Sequence, residues 1–176
     1  MKWTIHGERT IYESAWVNLV LVDVEVPDGA RFDHHVVRLP TQAVGVVVHD
    51  DNRGVLLVWR YRFITDTWGY EVPAGGVEQG EDLASAASRE VLEETGWAVD
   101  DLRPLTRFHP SNGLSDQIFN IFEATGANYV GVPSDPSESE RIDWVPVDEV
   151  RQMLRHNQVT DGLSLTALAC WFLNAE

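Results

Sequence analysis

Gly75-Gly-Val-Glu-Gln-Gly-Glu-Asp-Leu-Ala-Ser-Ala-Ala-Ser-Arg-Glu-Val-Leu-Glu-Glu-Thr-Gly-Trp97 is the stretch on which the reading of this chain turns. Gly75 is followed after five residues by Glu81, after seven more by Arg89-Glu90, then by Val91, a spacer, Glu93-Glu94, a spacer, Gly96 and Trp97. Between Gly80 and Thr95 the periodicity is helical: Leu83, Ala84, Ala87 and Val91 supply an apolar stripe, and Gly96 is a natural stop. Glu90, Glu93 and Glu94 then fall on one helix face within about 100° of arc. Three carboxylates so placed repel one another, and neutralising one is expected to leave metal-free stability unchanged or to raise it. Two readings follow from the residues alone. One is a solvated acidic face; the other is a site for hard divalent cations such as Mg²⁺ or Mn²⁺, which take oxygen ligands and bridge to phosphates.

On either side the chain is that of an ordinary globular domain. It has 176 residues, 44% of them hydrophobic, with seven Trp and six Phe, enough to bury a core, and no apolar run approaches the roughly 20 residues of a membrane span. The start, Met1-Lys2-Trp3-Thr4-Ile5-His6, lacks the apolar core of a signal peptide, and the single Cys170 excludes an intrachain disulfide, so a cytoplasmic protein is expected. Cys170 lies in an apolar run and reads as a small buried hydrophobe rather than a reactive thiol. The net charge of −15 argues against duplex nucleic acid, whose binding needs Lys and Arg against phosphates, but not against a small anion carried by a metal. The six histidines, including His34-His35, show no metal-ligand spacing.

Ahead of the acidic helix the chain reads as strands. Trp16–Val26 and Phe32–Leu39 flank the turn Pro27-Asp28-Gly29, and the apolar runs Ala43–Val48 and Gly54–Trp59 flank Asp51-Asn52-Arg53, giving two hairpins. After it, strands are expected at Leu102–Phe108, Gln117–Thr125 and Ile142–Val147. Helices follow at Asp148–His156, with Asp148 as the N-cap, and at Ser164–Leu173. Gly131–Glu140 is Pro- and Ser-rich and acidic, a loop by composition and well suited to closing over a substrate.

The Gly75–Trp97 spacing resembles the Nudix box at every defined position. Seven fixed residues at fixed spacing would arise by chance on the order of 10⁻⁸ per starting point. Looser likeness to the ADP-ribose pyrophosphatase branch of that family covers nearly the whole chain: Arg60-Tyr61-Arg62, Glu71-Val72-Pro73-Ala74-Gly75, Pro110-Ser-Asn-Gly-Leu-Ser-Asp116, Glu138-Ser-Glu-Arg-Ile142 and Val159–Leu168. Pro110 fits the branch's marker proline, whereas Asn112 stands where relatives often carry a second proline, which leaves the terminal sugar open.

The resemblance implies an α/β fold, a Nudix α/β/α sandwich with a mixed sheet plus a small N-terminal antiparallel β subdomain. Residues 1–40 would form that subdomain and make a homodimer, and residues 41–176 the hydrolase domain. It implies Mg²⁺-dependent (or Mn²⁺-dependent) hydrolysis of ADP-ribose to AMP and ribose 5-phosphate, with another nucleoside diphosphate sugar, such as GDP-mannose or a UDP-sugar, and a non-catalytic ligand sensor as alternatives. Glu90, Glu94, Glu140 and the Ala74 carbonyl are implied as metal ligands. The general base lies among Glu93, Glu138 and Glu140. Glu81 and Arg89 are implied to pair and hold the loop on the helix, with Gly75 and Gly96 at backbone positions that tolerate no bulk or need positive φ. Trp16 either stacks on the base or packs in an interface, Arg62 either binds phosphate or pairs with a nearby acid, and Glu71 either bonds substrate or simply ends a strand. No membrane or nucleic-acid partner is implied.

Overall fold

In a computed structural model, residues 1–134 and 140–174 are described, and they divide into two units. The first comprises Met1–Gln42 together with His109–Ile118, a segment from much later in the chain. It is a three-stranded antiparallel meander of β1 (Thr4–Glu13), β2 (Asn18–Glu25) and β3 (Arg31–Arg38). The β2–β3 hairpin turns at Gly29, whose φ of +89° is in the left-handed region, beside an Asp28 carboxylate that accepts the Ala30 N–H at 3.0 Å. Val20, Val22 and Val24 point to one face with Val36 and make a small core. β1 has no counterpart in the sequence pattern because all ten of its residues are exposed, so neither face imposes an alternation. The Pro110–Asp116 stretch belongs here through the Val37 N–H bond to Leu114 O (2.8 Å) and Arg38, which reaches Asp116 (3.2 Å) and Glu8 (2.6 Å).

The second unit, Ala43–Phe108 with Phe119–Glu176, is built on a seven-stranded sheet. Its strands are β4 (Ala43–Asp50), β5 (Gly54–Arg62), β6 (Thr67–Glu71), β7 (Ala74–Gly76), β9 (Leu102–Phe108), β10 (Phe119–Thr125) and β12 (Arg141–Val145). A separate pair joins β8 (Trp97–Ala98) to β11 (Asn128–Tyr129). The main path runs β12-β5-β4-β10-β9, with β6 on β5 and β7 on β4. The sheet is mixed: β10 runs parallel to β4, and its other strand pairs are antiparallel. Three helices cover it, α1 (Leu83–Thr95), α2 (Val147–Arg155) and α3 (Gly162–Asn174).

The near-continuous apolar runs of β4 and β5 are explained by burial on both faces. Val44, Val46, Val48 and Leu56 pack with Ala86, Ala87 and Val91 of α1; Val47, Val55 and Leu57 pack with Val150 and Met153 of α2 and Leu163, Ala167, Leu168 and Trp171 of α3. This is the α/β/α sandwich. The β4–β5 hairpin pairs only at His49↔Val55 and Asp50↔Gly54; beyond that point β5 takes β6 as partner and β4 takes β7. The chain from β6 to β7 bridges the opening, with Pro73 O accepting the Val46 N–H at 3.0 Å, and so delivers Ala74 and Gly75 against the C-terminal half of α1, at Glu94 and Glu90. One expected cap is corrected. α2 begins at Val147 behind Pro146, with no side-chain cap, and Asp148 stands inside its first turn, where a carboxylate still complements the helix dipole. Among the described residues no helix is long and apolar enough to cross a membrane.

Candidate active site

α1 is held at both ends. Asp82 is its N-cap, accepting the Ala84 and Ser85 N–H groups at 3.1 Å each. Gly96 ends it in the left-handed conformation, φ +72°, with its N–H on Leu92 O at 2.8 Å. A Cβ at Gly96 would lie 1.9 Å from the Gly131 carbonyl oxygen, so no larger residue fits.

The three acids of the helix sit in different surroundings. The Glu94 side chain is 1% exposed, accepts the Ala74 N–H at 3.1 Å and ion-pairs with Arg60 at 3.0 Å. Glu90 lies against Gly75, where a Cβ would come within 2.2 Å of its carboxyl carbon. Glu93 is far more open, its side chain 42% exposed. Arg89 gathers the outer acids: its Nε and Nη2 donate to the two Glu81 oxygens at 2.9 Å, Nη1 to Glu90 at 2.8 Å and Glu93 at 3.0 Å, and Nη2 also to Gly76 O at 2.9 Å. The Arg89 bonds, and after them one from the Glu78 N–H, hold the Glu81 carboxyl below its usual range; Arg89 is raised in turn, chiefly by Glu81. The loop Gly76–Glu81 is thereby tied to the helix through one guanidinium.

A cleft of about 470 Å³ opens at the end of the β5–β6 hairpin, lined in part by Tyr61, Arg62, Phe63, Tyr70, Glu71 and Asp161. Arg62 donates Nε and Nη2 to the Glu71 carboxylate at 3.0 and 2.6 Å, a two-pronged grip on a nearly buried acid. That hydrogen bonding raises the Arg62 guanidinium above its ordinary value, with the Glu71, Asp161 and Glu94 charges adding to it. Asp161 caps α3 by accepting the Ser164 N–H and hydroxyl at 2.7 Å, and the buried Ser164 hydroxyl accepts the Val72 N–H at 3.1 Å. The start of α3 is thus moored beside Glu71.

Trp16 stands in the β1–β2 connection of the first unit, 83% exposed, its N–H on the Ser14 hydroxyl at 3.2 Å. Glu140 is exposed at the start of β12, its N–H on Trp59 O at 2.9 Å. Glu138 lies outside the described residues. Arg60 carried no role in the sequence reading, although a cation following the apolar run Val55–Trp59 is itself a signal: a charged side chain inside a buried strand needs a partner.

Three carboxylates and a main-chain carbonyl are hard oxygen donors of the kind Mg²⁺ takes, and the bare Gly75 leaves the room that the Glu90 carboxylate fills. In donor chemistry the residues fit such an ion. The acids are engaged by two arginines, Arg60 with Glu94 and Arg89 with Glu90 and Glu93, and among the described residues no group of three acidic, His or Cys side chains is disposed to hold an ion.

Sequence and fold comparisons identify the family. The NUDIX domain matches residues 39–165. The CMP-5'-(N-acetyl-N-hydroxy-3-aminopropyl)phosphonate hydrolase of Streptomyces rubellomurinus is 38% identical over 96% of this chain and 82% of its own. The methanol dehydrogenase activator of Bacillus methanolicus is 30% identical over 98% and 92%, and the ADP-ribose pyrophosphatase of Bacillus subtilis 28% over 92% and 88%. A crystal structure of an ADP compounds hydrolase, 23% identical, has the same fold with a TM-score of 0.85 over 97% of this chain and 92% of that one. Since the matched region runs from the β4 entrance through the acidic helix to the first turn of α3, the chain belongs to the Nudix family and is a Nudix hydrolase similar to ADP-ribose pyrophosphatases of that family.

Proposed function

We propose that the protein hydrolyses the anhydride joining a nucleoside 5'-phosphate to a second phosphoryl group, with ADP-ribose as substrate and AMP and ribose 5-phosphate as products. The observation that supports this reading is the acidic face of α1, whose Glu94 pairs at 3.0 Å with Arg60, two residues before Arg62 in the wall of the cleft. Glu90, Glu94, the Ala74 carbonyl and Glu140 would hold Mg²⁺ or Mn²⁺. When bound, the ion supplies neutralisation of the diphosphate and a water of lowered pKa. Arg62, aimed by Glu71, binds a phosphate through the edge that Glu71 does not use. The water attacks phosphorus, its proton passes to a carboxylate, and the P–O bond to the leaving phosphate breaks. Glu93, open to solvent, and Glu138 are the two acids proposed for that proton.

A second reading has its own support, the 38% identity to a hydrolase named for a CMP-linked phosphonate. Mass-resolved products from ADP-ribose, GDP-mannose, UDP-glucose and a CMP-linked alkylphosphonate, each with Mg²⁺, separate the two. ADP-ribose is expected to have the highest kcat/KM, giving AMP and ribose 5-phosphate. A preference of tenfold or more for the CMP compound would replace the first reading by the second.

We also propose a homodimer formed through the first unit. A sheet with four valines for a core, an outer strand exposed along its full length, and Trp3, Ile5, Ile11, Tyr12 and Phe32 all exposed calls for a partner surface. Sedimentation equilibrium should return twice the chain mass, and Ile5→Lys with Ile11→Lys should shift it toward the monomer. An active wild-type monomer would rule the dimer out, and with it any substrate contact that Trp16 makes across an interface.

A further inference from the structure

Arg60 presents a guanidinium at a strand position that is 5% exposed. A cation taken so far out of water is tolerated only against an opposite charge, and Glu94, 1% exposed, meets it at 3.0 Å. The acids near the helix are therefore shared between two arginines: Arg89, from the helix itself, serves Glu81, Glu90 and Glu93, while Arg60, from β5, serves the buried one. We infer that Arg60 is a positioning residue that acts as the resident cation of the metal-free site, aiming Glu94 and weakening the site's hold on a divalent ion. This rests on the reading of Glu94 as a metal ligand.

The physical reason is competition for one carboxylate. A divalent ion arriving at Glu94 meets a fixed positive charge already bonded to that group, in surroundings where water screens poorly. Arg62 follows two residues later on the same strand face, with most of its charge engaged by Glu71. The negative charge of a diphosphate relieves the crowding of cations, so the ion binds weakly alone and more tightly once substrate is present.

Calorimetric titration of the full chain with Mn²⁺, without substrate, tests this. Arg60→Gln is expected to bind Mn²⁺ about tenfold more tightly than wild type and to melt at a lower temperature when metal-free; Arg60→Lys, which keeps the charge, should stay within about threefold of wild type. Unchanged or weaker Mn²⁺ binding by Arg60→Gln overturns the inference. Glu94→Gln distinguishes the premise: it should lose affinity, and unchanged affinity there would remove Glu94 as a ligand and with it the reading on which Arg60's role depends. Should Arg60→Gln fail to fold, the wild-type protein decides. The Arg60 Nε–H resonance, assigned by its loss in Arg60→Lys, should move as Mg²⁺ is added, and a resonance unmoved at saturation counts against the role.

Discussion

Glu94→Gln and Glu90→Gln are each expected to lower kcat by about 10²–10⁴-fold, the range that corresponds to losing several kcal/mol of charge stabilisation from a misplaced divalent ion. Their stabilities should part company. Glu90 is one of three acids around Arg89, so Glu90→Gln leaves that guanidinium with Glu81 and Glu93 and relieves carboxylate crowding; metal-free stability should stay level or rise slightly. Glu94→Gln leaves the Arg60 charge buried against a neutral amide, at a cost of about 3–5 kcal/mol. The helix pattern alone suggests relief of repulsion at either acid; burial of the Arg60 pair reverses the sign for Glu94. Steady-state kinetics beside thermal melts without metal give both numbers, and near-normal turnover in both variants would end the metal assignment.

Gly75→Ala should separate activity from stability in the opposite way to a core mutation. The Gly75 backbone is outside the left-handed region, so alanine's conformation is allowed in β7. Its Cβ would stand 2.2 Å from the Glu90 carboxyl carbon and 2.2–2.3 Å from both oxygens. Those atoms are the end of a flexible side chain, and the fold survives by pushing the carboxylate away. About a hundredfold loss of kcat is expected, with a melting temperature within a few degrees of wild type, since a ligand displaced by about an ångström forfeits its alignment. Wild-type turnover from a folded Gly75→Ala protein would show that Glu90 does not act from the place it occupies against β7.

What the sequence determined by itself is local. The helix and its stop at Gly96 followed from an apolar stripe, and the strands at Leu102–Phe108, Ala43–Val48 and Gly54–Trp59 from runs of β-formers between turn residues, the last two continuing in the structure to Asp50 and Arg62, because such patterns are imposed by the segment's own backbone and its two faces. The acid spacing on the helix was legible for the same reason. β1 was not, since a strand exposed on both faces leaves no alternation, and β6 and β7 were not, since short strands that bridge a splayed hairpin owe their pairing to β5 and β4 rather than to their own residues. Only the tertiary structure decided which partner each charge took. Glu71 with Arg62, Glu94 with Arg60 and Asp161 beside the cleft join residues brought together by strand register and by the mooring of α3. Nothing in a residue's neighbours along the chain encodes which distant charge it will meet; the energy of each pair depends on the distance and burial that the assembled sheet and helices impose.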